Sequence, residues 1–434
     1  MGMTIDTGNT AWMLISAALV FFMTPGLAFF YGGMVRSKNV LNTIMSSFFI
    51  IAVITVEWII VGYTMVFGDD VGGFIGGINK FGLESVANSV MDEVGIPELV
   101  FVAFQCMFAI IAPALITGAF AERMKFGALV LFSLLWSLLI YNPMAHWVWG
   151  GGFLARLGAL DFAGGLVIHI LSGVSGLVVC ILIGKRRGYG KMPMLPHHMP
   201  MVVLGASMLW FGWFGFNAGS ALGANGLAAN AFITTQGAAS MAAVAWVCCE
   251  WIHHGKPTLY GAASGCVAGL VAITPAAGFV GALPSLWIGL FGGVICYVAV
   301  VVIKNKVGYD DSLDAFGLHG IGGTWGAIAT GIWASTEVNE AGANGLFYGG
   351  VDLFVAQLLS VVVAYVFAIV GSYILFKVVS AVTEVRASET VEMDGMDVSE
   401  HGESAYNHSL FGSNSLPTSA VNKEIVALGA KSSH

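Results

Sequence analysis

The chain has 434 residues, 57% hydrophobic and only 10% charged, where soluble proteins carry about 25% charge. That balance excludes an ordinary soluble domain or enzyme and points to an all-α protein that crosses a membrane many times. The net charge of −8 offers none of the basic excess that nucleic-acid binding needs.

Apolar runs long enough to cross a hydrocarbon core of about 30 Å recur almost to the end. Eleven spans are expected, at 9–33, 40–67, 98–120, 126–147, 161–184, 198–219, 226–252, 257–274, 279–303, 314–335 and 345–379. The first follows a neutral, acidic-leaning start with no positive n-region, so no cleaved signal peptide is expected. Glu57 in the second span and Asp352 in the eleventh have no partner that the sequence names, which leaves them a role in helix–helix hydrogen bonds. Between the second and third spans lies the one sizeable outer loop, 68–97, with five acids (Asp69, Asp70, Glu84, Asp92, Glu93) against Lys80. It reads as a solvated loop, because salt screens any pull on external cations within about 8–10 Å. The 58 glycines suit tight helix packing in lipid. The six cysteines (106, 180, 248, 249, 266, 296) all fall in spans and show neither metal spacing nor evident pairing, so no cofactor is expected. Residues 1–380 form a membrane domain, and 381–434 a polar tail in which eight acids face three bases.

Lys and Arg set the orientation. With the N-terminus outside, 15 of the 17 basic residues lie in inner loops or the tail, and only Lys80 and Arg156 lie outside. The positive-inside rule then places the C-terminus in the cytoplasm.

One pattern occurs twice: Asp161-x7-His169-x3-Gly173-x2-Gly176 and Asp311-x7-His319-x3-Gly323-x2-Gly326. By this topology the fifth span enters from outside and the tenth from inside, which makes spans one to five and six to ten an inverted repeat. Eight residues of helix advance about 12 Å, so each histidine reaches the middle of a ~30 Å core from its own face and the two imidazoles become neighbours. Ionisable groups at such depth usually line a pathway. Two packed core histidines are the plain alternative. A metal site lacks companion ligands at i+3 or i+4, and haem ligation by the pair demands a wide cavity. Asp161 and Asp311 have the position of helix N-caps, and for Asp161 a capping role is compatible with stabilising a cation at a pore mouth. Phe108, Trp149 (placed just beyond the end of the fourth span) and Phe216 cluster toward the Asp161 end, with a hydroxyl from Ser220 nearby. Such a group suits a small ammonium-like cation, at up to ~2 kcal/mol when desolvated.

The runs Asp161-Phe-Ala-Gly-Gly-Leu-Val-Ile-His169, Gly212-Trp-Phe-Gly-Phe-Asn-Ala-Gly-Ser220, Ala119-Phe-Ala-Glu-Arg123 and Asp310-Asp-Ser-Leu-Asp-Ala-Phe-Gly-Leu-His-Gly320 closely resemble the ammonium transporter family (Amt/Mep, related to Rh proteins). The tail segment 396–406 looks like the cytoplasmic end of bacterial members. The resemblance implies a homotrimer in the cell membrane with one pore per subunit, carrying ammonium or ammonia and possible relatives such as methylammonium. It implies an outer recruitment site of Trp149, Phe108 and Ser220 supported by Asp161, a gate of Phe108 and Phe216, and a conduit lined by His169 and His319. It also implies a regulatory tail read by a P-II-like partner. An ammonium sensor that signals through that tail is the alternative in another class.

Overall fold

The computed structural model describes residues 5–406, most of them helical. Among the described residues nine helical stretches are long and apolar enough to cross a membrane: Thr7–Met34, Ser37–Phe67, Glu98–Phe120, Phe126–Leu157, Gly165–Ile183, Met199–Gly219, Gly226–His254, Ala282–Val307 and Val351–Val382. The other two expected spans fall on shorter or less apolar helix. Leu259–Ile273 has 15 residues, about 22 Å at helical rise, and the buried turn at 274–280 carries the chain farther. Phe316–Gly320 runs on into Ile321–Trp333, where glycines and a histidine dilute the apolar run.

Glycine sets how the helices cross. The first and sixth helices meet where Gly26 lies against Met208, Leu209 and Gly205. Between the fifth and tenth helices the exchange is reciprocal. A Cβ on Gly173 would run into the backbone of His319 and Gly320, and one on Gly323 would sit 2.9 Å from the Cβ of His169. The glycine four residues after each histidine is therefore the place where the other histidine's backbone closes in. Dispersion between close backbones is the main attraction available between helices in lipid.

Both histidines lie on π-helical turns, Gly165–Ile170 and Phe316–Gly320. A π turn inserts one extra residue and re-aims the side chains around it. Glu57, just before another such turn, is buried and accepts hydrogen bonds from Asn142 (2.7 Å) and Ser137 (3.2 Å). It is a helix–helix link, as the sequence suggested, whereas Asp352 is exposed in the first turn of its helix.

The outer loop contains two short hairpins, Asp70–Val71 with Ile75–Gly76 and Val90–Met91 with Ile96–Pro97. Part of its charge is used internally: Asp70 bonds His146 and Arg156, and Lys80 pairs with Glu98 at 2.7 Å.

At the opposite face, charges from distant segments are joined. Glu122 bonds Arg36 and Arg186, and Arg186 also grips Asp310. Burial pushes the Glu122 carboxyl up, but Arg186 and then Arg36 outweigh it and hold it at about 2.

The last helix ends at Val382. The chain then lies against this same face instead of extending from it. Backbone bonds of 2.9 Å join Val385 to Lys125 and Ala387 to Arg123. Asp397 accepts from the backbone N–H of Leu41 (3.0 Å) and Asn42 (2.8 Å) at the start of the second span. The tail's short helices, Glu389–Asp394 and Met396–His401, have no core of their own and use the membrane domain as one. The rest of the expected 381–434 segment, from 407, lies outside the described residues.

The glycine crossing has a direct test. Gly173→Ala forces a Cβ into backbone that cannot swing away and should destabilise the protein by about 1–3 kcal/mol, whereas Gly226→Ala, with open space at that position, should be neutral. Thermal unfolding of both variants in detergent checks this, and equal midpoints would show that the helices do not depend on the close approach.

Candidate functional site

The site is built outward from the two motif aspartates. Asp161 accepts four backbone N–H bonds, from Gly164 (2.8 Å), Gly165 (2.6 Å), Leu166 (2.7 Å) and Val167 (3.2 Å). These are the unpaired donors of a helix start, where negative charge is favoured. Gly164, at φ +112°, makes the turn that points them at one carboxylate. The helix proper begins at Gly165, so Asp161 caps the fifth span from outside it and not as its first residue. Asp311 does the same more sparingly, accepting from Ala315 (3.1 Å) and Phe316 (2.8 Å).

Each π turn then delivers its histidine to the interior. The Nδ1 atoms of His169 and His319 are 3.2 Å apart, with ring centroids 5.3 Å apart and planes 18° from parallel. At that separation one nitrogen must donate and the other accept. In a neutral pair the donor ring is left with a bare Nε2 and the acceptor ring with Nε2–H, so together they present one acceptor and one donor. His169 Nε2 is buried and has no hydrogen-bond partner among the described residues. The histidines border a narrow cavity of about 10 Å³, room for about one water-sized molecule. Its other walls are apolar, from Met23, Leu27 and Phe30 on the first helix and Ile111 and Leu115 on the third, with Leu209, Val267 and two aromatic rings.

Toward the Asp161 end, Phe108 and Phe216 are stacked, with centroids 4.3 Å apart and an interplanar angle of 20°. Both are buried and lie next to His169, whose ring centroid is 6.1 Å from that of Phe216. Trp149 stands edge-on to Phe108 at 6.1 Å and 89°, and its indole N–H donates to the Asp161 carbonyl at 2.8 Å. Trp149 is the last residue of the helix Asn142–Trp149, two residues past the expected end of the fourth span. Ser220 donates its hydroxyl to the Phe216 carbonyl at 2.9 Å, which leaves the oxygen's lone pairs free to accept. Trp149 and Ser220 are half-buried. At the Asp311 end a cavity of about 800 Å³ opens, bordered by Lys185, Arg186, Tyr260, Lys304 and Asp314 among others.

All seven residues singled out from sequence (Phe108, Trp149, Asp161, His169, Phe216, Ser220, His319) are joined by one chain of contacts. Trp213 was missed. Its ring stacks on His169 at 5.4 Å and 19°, held by an indole bond to Thr274 at 2.9 Å. It stood in the aromatic run that contains Phe216, but nothing in the spacing distinguished it. The aliphatic walls carried no signal either, since any apolar residue in a span reads alike.

The profile of the Ammonium Transporter Family matches residues 11–406. An ammonium transporter of Bacillus subtilis is 52% identical over 407 residues, covering 94% of this chain and all of that protein. The ammonium transporter Amt1 of Archaeoglobus fulgidus is 47% identical, covering 93% of this chain and all of its own. Among solved structures, Candida albicans Mep2 superposes with a TM-score of 0.84 at 33% identity, covering 93% of this chain and 91% of that one. With the paired motif, the helical bundle and this coverage together, the chain belongs to the ammonium transporter family.

Proposed function

We propose that the protein moves ammonium by binding it at the Trp149 end, removing a proton there, and passing ammonia along the histidine-lined passage while the imidazole pair relays the proton to the other side. The observation that carries this reading is the passage beyond the stacked Phe108 and Phe216. It is narrow and apolar, and the imidazole pair supplies its polar atoms. A bare cation in such a place would lose its hydration with little in return. Neutral ammonia has both a lone pair and N–H groups, and it fits a pair that offers one acceptor and one donor. Potassium has no proton to lose and is excluded by the same constriction.

The roles follow from position. Trp149 and Phe108 offer π faces to the cation, and Ser220 offers a lone pair. Asp161 spends its carboxylate on backbone N–H groups, so it acts through its charge and by fixing Trp149 through its carbonyl. Phe108 and Phe216 gate the passage, and His169 and His319 line it. By the Lys and Arg asymmetry the Trp149 end faces outward and the docked tail inward, in a cell membrane. A homotrimer and a P-II-like partner at the tail complete the reading.

Two expected outcomes test it. Asp161→Asn keeps an acceptor for the helix start and removes the charge. Ammonium uptake per correctly assembled protein in proteoliposomes should then fall about tenfold or more, the scale of one charge-assisted hydrogen bond. Undiminished uptake would reduce Asp161 to a cap. Truncation after Val385 should leave the membrane domain folded, because that domain has its own core, but weaken transport or its regulation by a P-II-like partner. Uptake and pull-down of such a partner that match those of the full chain would deny the tail a regulatory part. Signalling through the tail without uptake would instead favour an ammonium sensor.

A further inference from the structure

The two ends of the passage are built on the same motif but are finished differently. At one end the backbone carbonyl of Asp161 accepts the indole N–H of Trp149, which is half-buried. At the other end the corresponding carbonyl, that of Asp311, accepts from the Nζ of Lys304 at 3.0 Å. The same Nζ also bonds Asp314 Oδ1, while Tyr260 donates its hydroxyl to Asp314 Oδ2 at 3.2 Å. Asp314 adopts a left-handed backbone, φ +62°, a conformation that aspartate tolerates better than most residues. Tyr260, Lys304 and Asp314 all border the 800 Å³ cavity at this end, so the cluster faces arriving solute.

A primary ammonium is the closest side-chain relative of the ammonium ion: a compact tetrahedral cation with three N–H donors. A carbonyl and a carboxylate converging on it would receive a free ammonium ion in the same manner. We propose that the Asp311 carbonyl and the Asp314 carboxylate form a second ammonium site, the counterpart of the Trp149 site, and that Lys304 occupies it with its own ammonium. Substrate arriving from the Asp311 side finds the place taken, while the Trp149 end remains open. Loading is then asymmetric, although the histidine passage between the ends is built from matched copies. The inference rests on the proposed ammonium transport and adds a direction to it.

The test uses full-length protein in proteoliposomes sorted for one orientation, with ammonium offered from either side. For the unaltered protein, the half-saturating ammonium concentration should be about tenfold higher from the Asp311 side than from the Trp149 side, the scale of one charge-assisted hydrogen bond. Equal values from both sides would overturn the proposal, whereas no ammonium flux from either side would overturn the transport reading instead. Lys304→Met keeps the apolar stem and removes the ammonium. It should lower half-saturation from the Asp311 side toward that of the other end, with the Trp149 side unchanged. Adding Asp314→Asn to that variant should abolish the gain, because the vacated site loses its charge. A gain that persists in the double variant would mean that Lys304 merely braces the helix end, and the proposal would fail. If Lys304→Met does not assemble, the two-sided measurement on the unaltered protein decides alone.

Discussion

The hydrogen bond between His169 and His319 is the contact on which the passage depends. Two imidazoles in an apolar interior are costly unless each finds a partner, and here each partners the other at 3.2 Å. That geometry requires the backbones to come closer than any residue but glycine permits. It also requires each ring to be turned inward, which the π turns do. The reciprocal contacts of Gly173 and Gly323 and the paired π turns thus serve one end.

The ends of the passage follow from the helix starts. Asp161 collects four backbone N–H groups and so fixes where the fifth span begins, which fixes how far His169 lies from the surface. Its carbonyl holds Trp149, and Trp149 stands against the Phe108 and Phe216 stack. An indole, a stacked ring pair and an imidazole are thereby placed next to one another by backbone capping. At the other face, Arg186 ties Glu122 to Asp310, joining segments that lie on either side of the internal repeat. The tail is fastened nearby through Arg123, Lys125 and Asp397. Removing one member of such a buried charge group costs more than the group contributes when complete, so the inner face behaves as a unit.

Much of this was legible in the sequence because lipid restricts what a chain can do. A span must be helical to satisfy its backbone, so apolar length alone located most helices to within a few residues. The Asp-x7-His repeat placed both imidazoles at mid-depth, and the x3-Gly of the same motif has its explanation in the crossing. Other features were not legible for equally physical reasons. A π turn leaves no mark in an apolar run, so the register that aims His169 and His319 could not be read. Leu259–Ile273 starts two residues later than the span expected there, because Thr258 caps it. The fifth helix starts at Gly165 and not at Asp161 as its span was drawn, since sequence fixes a helix start only to within a few residues, although the capping position of Asp161 was legible. Trp213 and the aliphatic walls are ordinary span residues made special only by tertiary placement. The tail's composition offers no core, and over 383–406 the surface it packs on, far away in sequence, supplies one.

The proposed transport requires a dry, imidazole-lined constriction to pass neutral ammonia, relay its proton through the two histidines and refuse an intact cation. The most direct measurement is current through proteoliposomes under an ammonium gradient and then a potassium gradient, for the unaltered protein and for His169→Ala and His319→Ala. The expected result is current with ammonium and none with potassium in the unaltered protein, and reduced ammonium current in each variant. Full ammonium current with potassium still excluded in both variants would make the histidines packing residues and contradict the mechanism.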